Sequence, residues 1–318
     1  MNAYNVAVLG GGSVGLCLAA SFSQAGANVT LLVRKDAVAR LSEKSLTVSG
    51  LLGEHRTEPG AIRVVDAARP DDETLSCDML LVTTKAYDVA DALSPFARKR
   101  PGVGAVLLLQ NGMGSAERAR AVMGENVAIY SSAMMIGMVR NTPTDVDVSA
   151  QSSPIFCGPL LGDDDAALST MLGVARRGFV PMERDHAIRE TISFKLLFNS
   201  CMNPTGALID RTYGELLENP HSRRLIADLA QEALEVFARQ GYRPAESGEH
   251  YVDEVLSKII FPRSAGHRSS MLQDLEASRR TEVDFLNGAI VDMAQAVGLR
   301  APKHEAITAL IHARELAR

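Results

Sequence analysis

Lys195, Asn199 and Asn203 recur at every fourth position in the segment ISFKLLFNSCMNPTG, so a helix over these residues stacks one cation and two amides on a single face. Leu196, Leu197, Phe198, Cys201 and Met202 give that helix apolar flanks. The polar stripe then sits in a largely buried setting, where an unsatisfied polar group is costly and a polar ligand is welcome. An ammonium so placed can polarise a carbonyl and then protonate it, while the amides direct the same ligand by hydrogen bonds. The competing reading makes Lys195 a snorkelling surface lysine, lets the asparagines cap neighbouring loops, and has Pro204 end the helix.

The other end of the chain carries a second pattern. Residues 5–15 read NVAVLGGGSVG, an apolar run passing directly into Gly10-x-Gly12-x-x-Gly15 and then into the helically patterned LCLAASFSQAG. Strand, tight turn and helix follow one another. The glycines permit the turn and a close backbone approach to a pyrophosphate, and the helix start at Ser13, Val14 and Gly15 supplies N–H groups to phosphate oxygens. A second apolar run, Asn28 to Val33, follows at the spacing of a strand–helix–strand unit, which makes this a dinucleotide site. Arg34-Lys35 closes that second strand where an NAD site usually carries Asp or Glu, and two cations suit a 2′-phosphate, so NADPH/NADP is the expected cofactor. Asp36 is expected to cap a helix beginning near Ala37.

A 318-residue chain that is 46% hydrophobic and 22% charged has room for two globular domains. Its net charge of −5 argues against nonspecific nucleic-acid binding. The four cysteines are dispersed without CxxC pairing, and none of the seven histidines stands in a ligand spacing, so no metal is expected. The chain opens straight into its first strand and holds no bilayer-length apolar stretch; a cytoplasmic location is the expectation. Asp78–Thr84 and Ala105–Gln110 suit buried parallel strands, which places Lys85 and Gln110-Asn111-Gly112 at carboxyl ends facing the cofactor, unless Lys85 is a solvated loop lysine and Asn111-Gly112 only a turn. Val127 to Gly158 is turn-rich and β-like and is expected to add strands at the sheet edge. From about residue 186 the periodicity becomes helical. The fold expected is α/β, a Rossmann-like doubly wound sheet over residues 1–185 followed by an all-helical substrate domain over 186–318.

Six segments then combine in order: GGGSVG, VTTKAYD, QNGMG, KLLFNSCMNPTGAL, SSMLQD and RRTEVDFLNG. Together they span essentially the whole chain and resemble the ketopantoate reductase (2-dehydropantoate 2-reductase) family. The resemblance implies NADPH-dependent reduction of a 2-keto acid, 2-dehydropantoate to pantoate in pantothenate and coenzyme A biosynthesis above all, with the active site between the two domains. A different 2-keto acid, or an NADP-binding sensor without turnover, is the alternative. Carried over residue by residue, Lys195 matches the catalytic lysine and Glu282 the substrate-side carboxylate. Asn199, Asn203 and Ser270 match substrate-binding positions, Lys85 and Asn111 positions lining cofactor and substrate, and Arg34 the arginine of the 2′-phosphate. Glu282, just before an apolar helix, also reads as a helix-terminus acid stabilised by the macrodipole. The partners expected are a small 2-keto acid, no nucleic acid and no membrane, with a homodimer open as an assembly. Two positions depart from the resemblance: Tyr213, before Gly214-Glu215-Leu216, where some members place an asparagine, and His267, before Arg268-Ser269-Ser270, where a well-known pattern carries an asparagine. Both fall near the expected substrate pocket.

Overall fold

The computed structural model describes residues 3–71, 76–98, 102–161, 166–260 and 264–317. The chain divides into two compact units, Met1–Gln110 with Ser115–Arg189, and Asn111–Gly114 with Glu190–Arg318.

The first unit grows from β1 (Asn5–Leu9), α1 (Ser13–Gln24) and β2 (Asn28–Val33). Its strands β5 (Ile62–Asp66), β6 (Met79–Val82), β7 (Ala105–Leu108), β8 (Ala128–Ala133), β11 (Ile155–Pro159) and β12 (Met182–Arg184) complete an eight-stranded sheet in the order β12-β11-β8-β7-β6-β1-β2-β5. Every pairing is parallel except β8 with β11. A parallel sheet covered on both faces needs apolar residues in both registers. Here Val6 and Val8 feed one core and Ala7 and Leu9 the other. Leu9 is in register with Leu32 and with Val82, so three carboxyl ends lie side by side.

The glycine turn follows at that edge. Gly10 has φ of +125°, and its N–H donates to the Leu32 carbonyl at 2.9 Å. A Cβ on Gly15 would stand 1.9 Å from the Gly10 carbonyl oxygen, so the turn closes only with glycine there.

Two expectations change. The stretch 127–158 does not all join the sheet edge: β8 and β11 do, but β9 (Ile136–Arg140) and β10 (Asp145–Gln151) form a separate four-stranded sheet, β4-β3-β10-β9, with β3 (Thr47–Gly50) and β4 (His55–Arg56). Val146 and Val148 pair with β3 and bury beside Val48, a core that only a non-local partner can supply. Asp36 caps nothing. It lies in the first turn of α2 (Lys35–Leu41), whose N-cap residue is Arg34, and pairs with Arg40 one turn on at 2.8 Å.

The second unit is helical: α6 (Ile188–Ile209) after α3 (Val89–Arg98), α4 (Ser115–Met123) and α5 (Ala166–Ala175) of the first, then α7 (Tyr213–Glu218), α8 (Pro220–Arg239), α9 (Ser270–Glu276), α10 (Val283–Ala296) and α11 (Pro302–Leu316). Pro204 does not end α6, which runs five residues further. A proline inside a helix removes a donor and leaves the carbonyl four residues earlier unpaired. That carbonyl belongs to Ser200, and Asn287 of α10 supplies the missing donor from Nδ2 at 2.9 Å. The same Nδ2 donates to His304 Nδ1 at 3.0 Å, which puts the imidazole proton on Nε2, where it donates to the Leu229 carbonyl of α8 at 3.0 Å. Four helices are tied by one chain of bonds. At the start of α11 the Glu232 carboxylate accepts from the Lys303 and His304 N–H groups, the place where a helix has free donors and favours negative charge.

His304 is fully buried, and desolvation lowers its pKa from 6.5 to about 4. The unfolded chain therefore binds a proton below pH 6.5 that the folded chain refuses until about pH 4, so this residue's stabilisation is lost as pH falls through that window, by about 2 kcal/mol at pH 5. Urea unfolding at pH 7.5 and pH 5 is expected to show a larger loss for the wild type than for His304→Gln; equal losses would remove His304 from the acid response.

Candidate active site

The helix α6 presents Lys195, Asn199 and Asn203 one turn apart on one face. Lys195 is half-buried and its Nζ donates to Asn111 Oδ1 at 2.7 Å. Asn111 belongs to the same unit because its loop is pinned to the first turn of α10. The Met113 N–H donates to the Phe285 carbonyl at 3.0 Å, and Gly112, with φ of +81°, lies so close that a Cβ would stand 2.0 Å from that oxygen.

Glu282 occupies the N-cap position of α10, yet its side chain makes no cap hydrogen bond and the residue is only 8% exposed. Its carboxylate acts on Lys195 instead. Desolvation lowers the Lys195 pKa from 10.5 to about 8, and the Glu282 charge opposes the fall. The preceding corner is held firmly: Glu315 accepts from the Thr281 N–H at 2.7 Å, and His312 bridges Glu315 and Asp284 at 3.0 and 2.8 Å. A cation that is mostly charged at neutral pH, loses its proton readily and faces a carboxylate is equipped for proton transfer to an oxygen.

Asn199 is buried, and no hydrogen bond engages its side chain among the described residues. Asn203 is buried too; its Oδ1 accepts from the Tyr213 hydroxyl at 2.7 Å and its main-chain carbonyl from Ser269 Oγ at 3.1 Å. Ser269 also caps α9 by accepting from the Leu272 N–H, whereas Ser270, the expected substrate contact, is exposed at the first position of that helix. Tyr213, a position the resemblance places near the substrate pocket, and Ser269 thus join the amide ladder, through contacts that spacing along the chain does not show.

The glycine turn of the first unit has the features a pyrophosphate needs. Gly12 is the N-cap of α1 with no side-chain cap, no acidic residue follows in the first turn, and a Cβ on Gly12 would meet nothing within 4 Å. Ser13, Val14 and Gly15 lie where a helix leaves its N–H groups without internal partners. Arg34 is exposed just past β2, and the guanidinium of Arg140 donates to the Gly11 carbonyl at 2.8 Å. Lys85 is half-buried at the start of the Ala86–Asp88 turn after β6. Gln110, expected to face the cofactor, instead donates its amide to the Val82 and Thr84 carbonyls at 2.8 and 3.0 Å and so locks the ends of β6 and β7 together.

Among the described residues no group of three His, Cys, Asp or Glu side chains could hold a metal. No helix there is long and apolar enough to cross a membrane. The four cysteines are buried and free, and burial pushes the Cys17, Cys77 and Cys201 thiols up to about 12.

The family model described as ketopantoate reductase PanE/ApbA matches residues 6–162, and its C-terminal counterpart matches residues 187–315. The 2-dehydropantoate 2-reductase of Archaeoglobus fulgidus is 30% identical over 99% of both chains. Among solved structures, the 2-dehydropantoate 2-reductase of Geobacter metallireducens superposes with a TM-score of 0.83 at 22% identity, over 97% of this chain and 99% of that one. A D-mandelate dehydrogenase solved with NADH and anilino(oxo)acetate superposes with a TM-score of 0.81 at 22% identity, over 98% and 99%. On the two matching family models and the Archaeoglobus relative, the chain belongs to the ketopantoate reductase family.

Proposed function

We propose that this oxidoreductase uses NADPH to reduce the ketone of a 2-keto acid to the corresponding 2-hydroxy acid, with 2-dehydropantoate, the acid for which the family is named, as the reference substrate. The observation that carries the reading is the Lys195 ammonium, held by Asn111 Oδ1 and softened to a pKa of about 8 by burial beside Glu282. Bound NADPH supplies the hydride that a ketone carbon needs. The chain's own residues do the rest. Ser13, Val14 and Gly15 hold the pyrophosphate by main-chain N–H groups, and Arg34 takes the 2′-phosphate by a charge-assisted fork. Lys85 adds a cation at the neighbouring strand end. Lys195 draws charge onto the ketone oxygen and then gives its proton to that oxygen. Glu282 keeps the lysine charged until that moment, and Asn199, the Nδ2 of Asn203 and Ser270 orient the carboxylate and ketone. A sensor without turnover has no use for a lysine whose pKa is lowered by burial and opposed by a nearby carboxylate.

Two outcomes are expected. Lys195→Ala should lower kcat by about two to four orders of magnitude with NADPH affinity unchanged. In the wild type, kcat/KM for reduction should fall as pH rises through about 8, where the acid form is lost, while oxidation of the hydroxy acid should rise through the same range. NADPH absorbance assays between pH 6 and 10 measure both; a flat profile or near-normal turnover by the mutant refutes the role of Lys195. At the other site, Arg34→Ala should weaken NADPH by about 1.5–3 kcal/mol and NADH far less. Fluorescence titration of both nucleotides reads this directly, and equal losses would take Arg34 away from the 2′-phosphate.

A further inference from the structure

We propose that Arg140, carried on the second sheet, is a further determinant of cofactor choice, its guanidinium sharing the 2′-phosphate of NADPH with Arg34. The inference deepens the NADPH reading and rests on it.

Arg140 ends β9, and the hairpin that follows fixes its place. It is in register with Val146 of β10, and the next residue, Asn141, donates its N–H to the Asp145 carbonyl at 3.0 Å. Val146 and Val148 bury in one core with Leu16 and Ala20 of α1, so the second sheet is packed on the helix whose start suits a pyrophosphate. From that sheet the Arg140 guanidinium reaches the glycine turn and donates from Nη1 to the Gly11 carbonyl at 2.8 Å.

Gly11 marks the part of a nucleotide that lies nearby. A Cβ there would stand 2.7 Å from Val33 Cγ1 and 3.9 Å from Leu41 Cδ1, so Gly11 lies flat against the last residue of β2 and the end of α2. Arg34 is the residue after Val33. In a strand–helix–strand nucleotide site the pyrophosphate meets the helix start, and the 2′ position of the adenosine ribose faces the end of the second strand. The carbonyl that Arg140 grips belongs to the stretch joining these two places.

Hydrogen-bond capacity and charge give the consequence. A guanidinium carries five N–H donors. Arg140 is exposed, uses Nη1 on Gly11, and its other nitrogens have no partner among the described residues. Arg34 is exposed as well, and its side chain has no partner there either. The carboxylates of this edge are engaged: Asp36 pairs with Arg40 at 2.8 Å, Asp66 Oδ1 accepts from the Ala68 N–H at 3.0 Å, and Asp145 accepts from the Thr142 hydroxyl. Two cationic forks with donors to spare suit a phosphate dianion, whereas the neutral 2′-hydroxyl of NADH gains little from them. The bond to Gly11 also holds one fork in place beforehand, so less side-chain freedom is lost when the anion arrives.

The test measures dissociation constants for NADPH and NADH, and for adenosine 2′,5′-bisphosphate against adenosine 5′-monophosphate, by fluorescence and calorimetric titration of the whole chain. Arg140→Ala should weaken NADPH and the bisphosphate by about tenfold while NADH and the monophosphate change by less than about twofold. Arg140→Glu, which reverses the charge, should shift the NADPH-to-NADH ratio further in the same direction. Equal weakening of both dinucleotides would overturn the inference, since it would mean that Arg140 serves the pyrophosphate or merely braces the turn, features common to both ligands. Unchanged NADPH affinity in both variants would overturn it too. Either result leaves the NADPH reading intact if the wild type binds NADPH more tightly than NADH; a wild type that prefers NADH overturns both. Melting curves report folding, and if Arg140→Ala does not fold, Arg140→Gln decides by the same ratio.

Discussion

The second unit depends on a missing hydrogen bond. Pro204 lies within α6, and the carbonyl it strands on Ser200 is satisfied only because Asn287 reaches it from α10. An unpaired carbonyl in that setting would favour breaking the helix, and with it the alignment of Lys195 and Asn199 before the proline with Asn203 beside it. Asn287 is itself held by His304, and His304 by the Leu229 carbonyl, so the position of the amide ladder is set by α8, α10 and α11 together. Asn287 Oδ1 is buried without a partner, the residual cost of turning both donor hydrogens to use.

The same economy governs the site. A lysine in apolar surroundings drifts toward its neutral form, and a carboxylate nearby pulls it back. Burial prevails over Glu282 here, which leaves Lys195 between a structural cation and a free base. Asn111 accepts one of the ammonium's hydrogens and is in turn held by a glycine turn pressed against Phe285. The element that brings Glu282 to the lysine, the first turn of α10, thus also anchors the lysine's hydrogen-bond partner.

What was legible in the chain was whatever depends on spacing. The four-residue repeat put three polar side chains on one face of α6, and the glycine pattern marked the turn between β1 and α1. What was hidden depends on pairing across long separations. Nothing local in Val127–Gly158 says that β9 and β10 leave the main sheet for β3 and β4, because a strand's apolar alternation does not name its partner. Asp36 next to Ala37 looks like a cap, but Arg34 takes that position and leaves Asp36 inside the turn. Of the two adjacent serines, Ser269 bonds to α6 and Ser270 is exposed, a choice made by the capping geometry of a helix whose start spacing alone does not locate. Tyr213 stands ten residues from Asn203 along the chain, beyond a left-handed turn at Asp210 with φ of +56°, and their side chains still meet in a hydrogen bond.

Asn111–Gly114 belongs to the helical unit although it is threaded between β7 and α4 of the other. The ribosome therefore releases these four residues before α6 and α10, the helices that receive them. A gene fragment encoding residues 190–318 lacks the amide that Lys195 grips and the turn that packs on Phe285. The two halves are then not modules that evolution could exchange freely: any recombination that brings a new helical half must also bring a matching four-residue insert inside the other half.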